Sequence, residues 1–589
     1  MTITGSIQPT RRTPSTVVVA MLVAMVTLAG CVSVPTTGQI EKVEGQQQTC
    51  QNCVSVEVSP PAIGAEPKQI VEGFLRATSN YQPNYSVAKQ FLTTPAAEKW
   101  SPEAGASIFS GTVVATGASV ILDGQLLGSL GPDRTYTARA QRLRVNFGLV
   151  RQDNEWRISS PPAGLMVQEY SFKSFYQRYN LYFIGNGSSL VPDPIYLPNL
   201  RNQTGVASVL MRALLSGPSK WLKPAVSTAI PADTTLSVDS VTIRDGIAEV
   251  ALSEAVLQLG DEQRSLLAAQ VVYTLKQAAG VKAVKFTVAQ QPLVIPEADT
   301  TSFAVAVDSY RELDPVPFVA GEQLYAVRGA GVELVGTNAD APTGRPMPGA
   351  LGEKKLRVDR IAVSVANTDV AVVTDDRTKL RRTAANGGEV ITLIDGVTEL
   401  LRPQFSRYGE LWAIGRKAGK QRLWMIAGDK LTEIASPVLG SGDITAFKIS
   451  PDGTRIAFVR RTGEKVQLGL ARITRADRFA VDGWRTLTLT GSRTPNLTRL
   501  RDVGWLDATQ LMVLAAPAGA GPIMPYTVIE DASSIVPDGE TVRWDAAELS
   551  VLLRTKTVVV VSADGQTYRN DGDQWLPFID EAKTVAFPG

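Results

Sequence analysis

Ser450-Pro451-Asp452-Gly453-Thr454-Arg455-Ile456-Ala457-Phe458 sets a polar turn directly before an apolar strand. The proline and the Asp-Gly pair suit a tight turn, and the branched and aromatic residues that follow suit extended chain. The same grammar recurs on both sides. Ser364-Val365-Ala366-Asn367-Thr368-Asp369-Val370-Ala371 and Ser406-Arg407-Tyr408-Gly409-Glu410-Leu411-Trp412 precede it, and Trp505-Leu506-Asp507-Ala508-Thr509-Gln510-Leu511-Met512 follows. The first three segments start 42 and 44 residues apart, and the fourth lies 55 further on. Irregular sequence, including Arg475–Gly483, takes up the extra length. Short strands at a period of roughly forty residues, with no sustained helix, indicate a β-propeller with one four-stranded blade per repeat. Residues 316–589 accommodate about six blades.

Upstream, the periodicity changes to that of mixed helix and sheet. In residues 180–298, Val206, Val209, Leu210, Ala213 and Leu214 form one apolar helix face, which Gly217-Pro218 terminates. Asp245-Gly246 reads as a two-residue hairpin turn. It pairs Ile243 with Ala248 and Val241 with Val250 on one face, leaving Thr242, Arg244 and Glu249 outside. A helix with Leu267, Val271, Thr274 and Leu275 inward leads through Gly280 to a strand at Ala283–Val288. Residues 65–179 form another α+β domain. There, Ile70, Val71, Phe74 and Leu75 share a helix face, and Pro67 suits its first turn. A short helix carries Val87, Ala88, Phe91 and Leu92. Strands are expected around Thr112–Ala115, Ser119–Leu122, Thr135–Phe147 and Glu155–Ser159. Residues 31–64, ending in Ser59-Pro60-Pro61, read as a flexible linker.

The first thirty residues have another character. Arg11 and Arg12 precede an apolar run, Val17–Ala29, too short to span a bilayer but suited to a secretory signal. It ends in Leu28-Ala29-Gly30-Cys31, which resembles the lipobox of bacterial lipoproteins. That resemblance implies cleavage before Cys31 and diacylglycerol on its thiol. Two acyl chains give stable membrane attachment. The remaining chain is therefore expected outside the cytoplasm, tethered to the cell membrane.

The chain carries 59 basic and 57 acidic residues. Both charges before Cys31 are arginines, so the processed chain is neutral. A neutral chain has no long-range field to draw it onto nucleic acid, and no nucleic-acid partner is expected. The densest basic patch, Arg377–Arg382, follows Asp375 and Asp376 and reads as a solvated loop.

Histidine is absent. Ser-His-Asp and Cys-His catalysis and nearly all zinc and copper catalytic sites are thereby removed. Cys50-Gln51-Asn52-Cys53 lies in a Gln-rich stretch without the strand-to-helix setting of a redox motif, so a local disulfide is the favoured fate. Zinc there would need two ligands that the chain does not offer. Ser86-Val87-Ala88-Lys89 matches a penicillin-binding Ser-x-x-Lys, but the companion Ser-Asp-Asn and Lys-Thr-Gly elements are missing, leaving a helix start. Gly329-Ala330-Gly331 lacks the third glycine of a dinucleotide site. Asn570-Asp571-Gly572-Asp573 lacks the closing glutamate of a calcium loop and reads as a blade hairpin. No catalytic, cofactor or metal residue is nominated, and no enzyme is expected.

Four segments in order carry a more specific resemblance: Leu214-Leu215-Ser216-Gly217-Pro218, Ala229-Ile230-Pro231, Asp245–Val250 and Val281-Lys282-Ala283-Val284. They resemble the GerMN domain of spore-germination and envelope proteins. Phe91-Leu92-Thr93, Trp100-Ser101-Pro102 and Glu155–Ile158 resemble an NTF2-like domain, and Ser450–Phe458 resembles the repeat of TolB-type propellers. The order of lipobox, α+β domain, GerMN domain and propeller resembles the LpqB family of actinobacterial lipoproteins. The resemblance implies binding to the external sensor domain of the MtrB histidine kinase, and through MtrA an influence on cell-wall and division genes. Two alternatives stand beside it: a glycan- or peptidoglycan-binding envelope scaffold, and an envelope glycosidase working with paired carboxylates in the propeller funnel.

Overall fold

The outer helices and strands bury one apolar face, while central stretches such as residues 267–275 and 370–374 are buried on all sides. The computed structural model describes residues 58–117, 119–186, 189–199, 203–337, 343–475, 479–491, 495–519 and 521–589. The helix Pro67–Ser79 starts with a reciprocal capping box between Glu66 and Gln69. Ile70, Val71, Phe74 and Leu75 are buried beneath it. Phe74 meets Trp100 and Phe147 edge-on, with ring centroids 5.6 and 6.2 Å away. The strands beneath run in the order Tyr136–Asn146, Ser119–Leu130, Ala106–Thr116, Leu165–Gln168, the last pair parallel. Ala106–Thr116 and Ser119–Leu130 are longer than the sequence segments suggested, Tyr136–Asn146 is slightly shorter than its segment, and Leu165–Gln168 is a strand beyond those expected.

A hairpin, Tyr176–Gly185 with Ser189–Pro198, links this domain to the next. Its first strand runs straight through the expected boundary between 179 and 180. Phe183 and Leu181 alternate into the second core while Tyr176 packs on the first. In the second sheet, Ile247–Leu252 lies parallel to Ala283–Val288, and Ile243 sits opposite Ala248 as the Asp245-Gly246 turn requires. Asp245 and Gly246 take φ of 51° and 83°, the left-handed pair of such a turn. Ala304–Ala306 adds to Ala283–Lys285, carrying the sheet past 298. Helices Gln203–Leu215 and Asp261–Leu275 pack on one another, and Leu267, Val271, Thr274 and Leu275 are fully buried.

Among the described residues, the remaining chain forms six four-stranded antiparallel sheets. Blades two to six begin with Val358–Val363, Gln404–Phe405, Asp443–Ile449, Leu497–Trp505 and Ala546–Leu552. Blade one is composite. Leu324–Arg328, Gly331–Val335 and Gly344–Pro346 receive their innermost strand, Ala582–Ala586, from the far end of the domain. Each innermost strand packs against the next, and the sixth returns to the first. Backbone pairs such as Tyr325 with Ala586 thus close the ring of a β-propeller.

Two local expectations are corrected. Arg377–Arg382 is not a solvated loop, because Leu380–Ala384 is the third strand of blade two, with Leu380 fully buried. The stretch Arg475–Gly483 is not wholly irregular either, since Ala480–Thr486 is the outer strand of blade four. In both, local polarity hid a strand that pairs in a hairpin with the strand just before it in sequence.

Candidate functional site

Antiparallel strands give a propeller two ends. At one end lie the turns between first and second strands and between third and fourth; the starts of the first strands face the other. The second α+β domain docks on the first end, over blades three to five. The Ser189 hydroxyl is 3.0 Å from the Tyr408 hydroxyl and donates to the Asp452 carbonyl at 3.2 Å. Gly185 fits closely here: a Cβ would stand 2.8 Å from Thr454 Oγ1. Arg178 donates to Thr509 Oγ1 at 2.9 Å, Trp221 Nε1 to the Gly483 carbonyl at 2.6 Å, and Tyr196 to Asp531 at 3.0 Å. Burial raises the Asp193 carboxyl above its usual range, although the Ser219 N–H donates to it.

The Ser450–Arg455 turn is the hub of this junction. Asp452 Oδ1 accepts from Ser450 Oγ and from the Thr454 N–H, both at 2.8 Å, and Gly453 takes φ 73°. Arg455, 1% exposed, pairs with Asp452 in its own turn and with Glu530 of blade five, and donates to the Ala508 carbonyl at 2.7 Å. Its guanidinium also lies 5.4 Å from the Trp505 ring centre. One buried cation therefore joins two blades beneath the docked domain. Desolvation outweighs the cation at Glu530 and pushes its carboxyl up to about 7.

The other end is open. A cavity of about 410 Å³ is lined there by Arg360, Arg377, Arg402, Arg461 and Arg501, with Asp502 and Glu548 on its wall. Arg402 donates to Asp502 at 2.9 Å, to Glu548 at 3.1 Å and to the Leu549 carbonyl at 2.7 Å. Asp502 also accepts from the Val503 and Leu549 N–H groups, both at 2.9 Å. Asp502 is thus committed to Arg402 and backbone donors, and Glu548 to Arg402, the Thr584 hydroxyl and Arg360 at 3.6 Å, a structural arrangement unlike a free acid and base flanking a glycosidic bond. Deeper in the ring, Lys448 Nζ donates to the Gly589 carbonyl at 2.8 Å. Burial, aided by Arg402, lowers its ammonium to about 7.

Cys31, Cys50 and Cys53 lie outside the described residues. Ser86 opens the short helix Ser86–Gln90, and Gly329-Ala330-Gly331 forms the blade-one hairpin turn. Gly572, with φ 59°, turns the last hairpin of blade six. Among the described residues, no three Asp, Glu or Cys side chains converge as metal ligands, and no helix is long and apolar enough to cross a membrane. The arginine-lined mouth and the buried Arg455 pairs were not nominated from the sequence. The available signal was an arginine at or just before the first strand of blades two, three and five, at Arg360, Arg402 and Arg501.

Three family models match the chain in order. "Lipoprotein LpqB, N-terminal domain" covers residues 60–173, "Sporulation and spore germination" 180–294, and "Lipoprotein LpqB beta-propeller domain" 333–587. The chain is 29% identical to Lipoprotein LpqB of Cutibacterium acnes, the match covering 99% of each chain. It is likewise 29% identical to Lipoprotein LpqB of Streptomyces avermitilis over 96% of each. Among solved structures, TolB from Acinetobacter baumannii matches at 14% identity and TM-score 0.33, over 57% of this chain and 86% of that one. The ordered domain matches and the full-length relatives together place this chain in the LpqB lipoprotein family.

Proposed function

We propose that the protein is anchored by a lipid on Cys31 at the extracytoplasmic face of the cell membrane. There it binds the external sensor domain of the MtrB histidine kinase, modulating MtrA–MtrB signalling in wall homeostasis and division. It acts by binding and not by turnover. The observation that carries this reading is the division of labour between the propeller ends: one end is filled by the docked α+β domain and the other presents an open polar mouth. A docked, rigid body of this kind keeps one face available to a neighbour, and confinement to the same membrane raises the effective partner concentration. The absence of histidine and the tie of Asp502 and Glu548 to Arg402 also favour binding over chemistry.

The test has two arms. Cys31→Ala should abolish incorporation of a palmitate analogue, and continued labelling refutes the anchor. Cross-linking in intact cells should capture the kinase, and the lipid-free chain should bind its isolated external domain in calorimetry. No capture and no binding refute the partnership. Retention of soluble peptidoglycan fragments in its place would favour the scaffold reading.

A further inference from the structure

The charge at the open mouth is unevenly satisfied. Arg402 is spent on Asp502 and Glu548, and Arg360 on Asp359 at 3.1 Å. Arg501 uses only Nη1, toward Asp545 at 2.9 Å and the Ala546 carbonyl at 3.0 Å. Arg377 donates through Nε to the Leu400 carbonyl at 2.9 Å and stands 3.7 Å from Asp359, while its two Nη groups make no hydrogen bond among the described residues. Arg461 is exposed and has neither ion pair nor side-chain hydrogen bond among the described residues. Lys583 beside this rim is held by Asp359 and Asp375. The acidic groups therefore fix the inner cations and leave guanidinium nitrogens of blades two, four and five free around one cavity.

We infer that this mouth binds phosphate groups of an anionic ligand. Guanidinium forks recognise phosphate and carboxylate through paired, charge-assisted hydrogen bonds. Free donors on three blades favour phosphate, because a tetrahedral group presents oxygens in several directions whereas the two oxygens of a carboxylate lie in one plane. The cavity of about 410 Å³ admits such a group but not a folded domain. Arg377, Arg461 and Arg501 act as its contacts, and Arg402 positions the wall behind them. The inference stands independently of the kinase partnership.

The experiment titrates tripolyphosphate into the full chain in calorimetry. Binding should be saturable and should weaken with rising salt. Arg377→Ala with Arg461→Ala should weaken it tenfold or more, the loss expected for charge-assisted bonds. Arg382→Ala, on the outer part of blade two beside Asp429, should leave it unchanged. Vesicles of phosphatidylglycerol and a soluble phosphodiester polymer separate the two sources of phosphate. Arginine-dependent capture by either supports the site and identifies the source. Absence of tripolyphosphate binding, equal binding by the double variant with native folding by circular dichroism, or binding of polyglutamate alone overturns the inference.

Discussion

Replacing Arg455 by Met removes one cation from a place where solvent cannot compensate. Arg455 and Glu530 are 1% exposed and Asp452 is wholly buried. Breaking a buried ion pair on one side strands the other, at a cost of about 3–5 kcal/mol. Here two carboxylates lose their shared partner, but Glu530 has an escape: it protonates. With the cation present its carboxyl sits at about 7, and without it desolvation acts unopposed by that partner. A carboxyl raised in the folded state loses stability as pH rises from its unfolded range through its folded value. The variant should therefore be destabilised more at pH 8 than at pH 6. Urea unfolding followed by tryptophan fluorescence reads both effects, since Trp505 lies against the lost guanidinium. Adding Glu530→Gln should recover a substantial part of the loss at pH 8, because no uncompensated charge remains at that position. A cost below about 1 kcal/mol at both pH values, or no recovery in the double variant, would refute the claim that this cation holds blades four and five together.

Two further outcomes follow from the ring. Lys448 is lowered to about 7 by burial, so its ammonium penalises the fold below that pH and the penalty fades toward the unfolded value; Lys448→Met should stabilise on the order of 2 kcal/mol at pH 6 and less at pH 9, with a pH-independent change in the urea midpoint contradicting this. A chain ending at Glu581 loses the innermost strand of blade one, including fully buried Val585; burial of Val585 and Phe587 together with the ladder predicts a loss of more than about 5 kcal/mol and a propeller that unfolds without cooperativity, which calorimetry would reveal.

Local grammar carried much of the architecture. The Asp245-Gly246 turn fixed its hairpin register, the 3.6-residue spacing fixed both helices of the second domain, and the recurring turn-to-strand segments indicated about six blades. These signals are local because turn chemistry and face periodicity act over a few residues. The polar stretch was misread because pairing with the strands on either side of it in sequence outweighs its composition. Arg377–Arg382 looks solvated, yet the strand Leu380–Ala384 is held between two others. The boundary near 179 fell inside a strand because both flanking cores draw on its side chains.

The sequence by itself determined the order of domains, the repeat and the absence of imidazole chemistry, since each is a property of neighbouring residues or of composition. Only the tertiary structure decided which charges meet. Arg455 and Glu530 are 75 positions apart, and Arg402 lies 100 positions from Asp502 and 146 from Glu548. Closure of the ring brings those groups together, and only in that burial does it become evident which carboxylates are neutralised internally and which arginines remain free at the mouth.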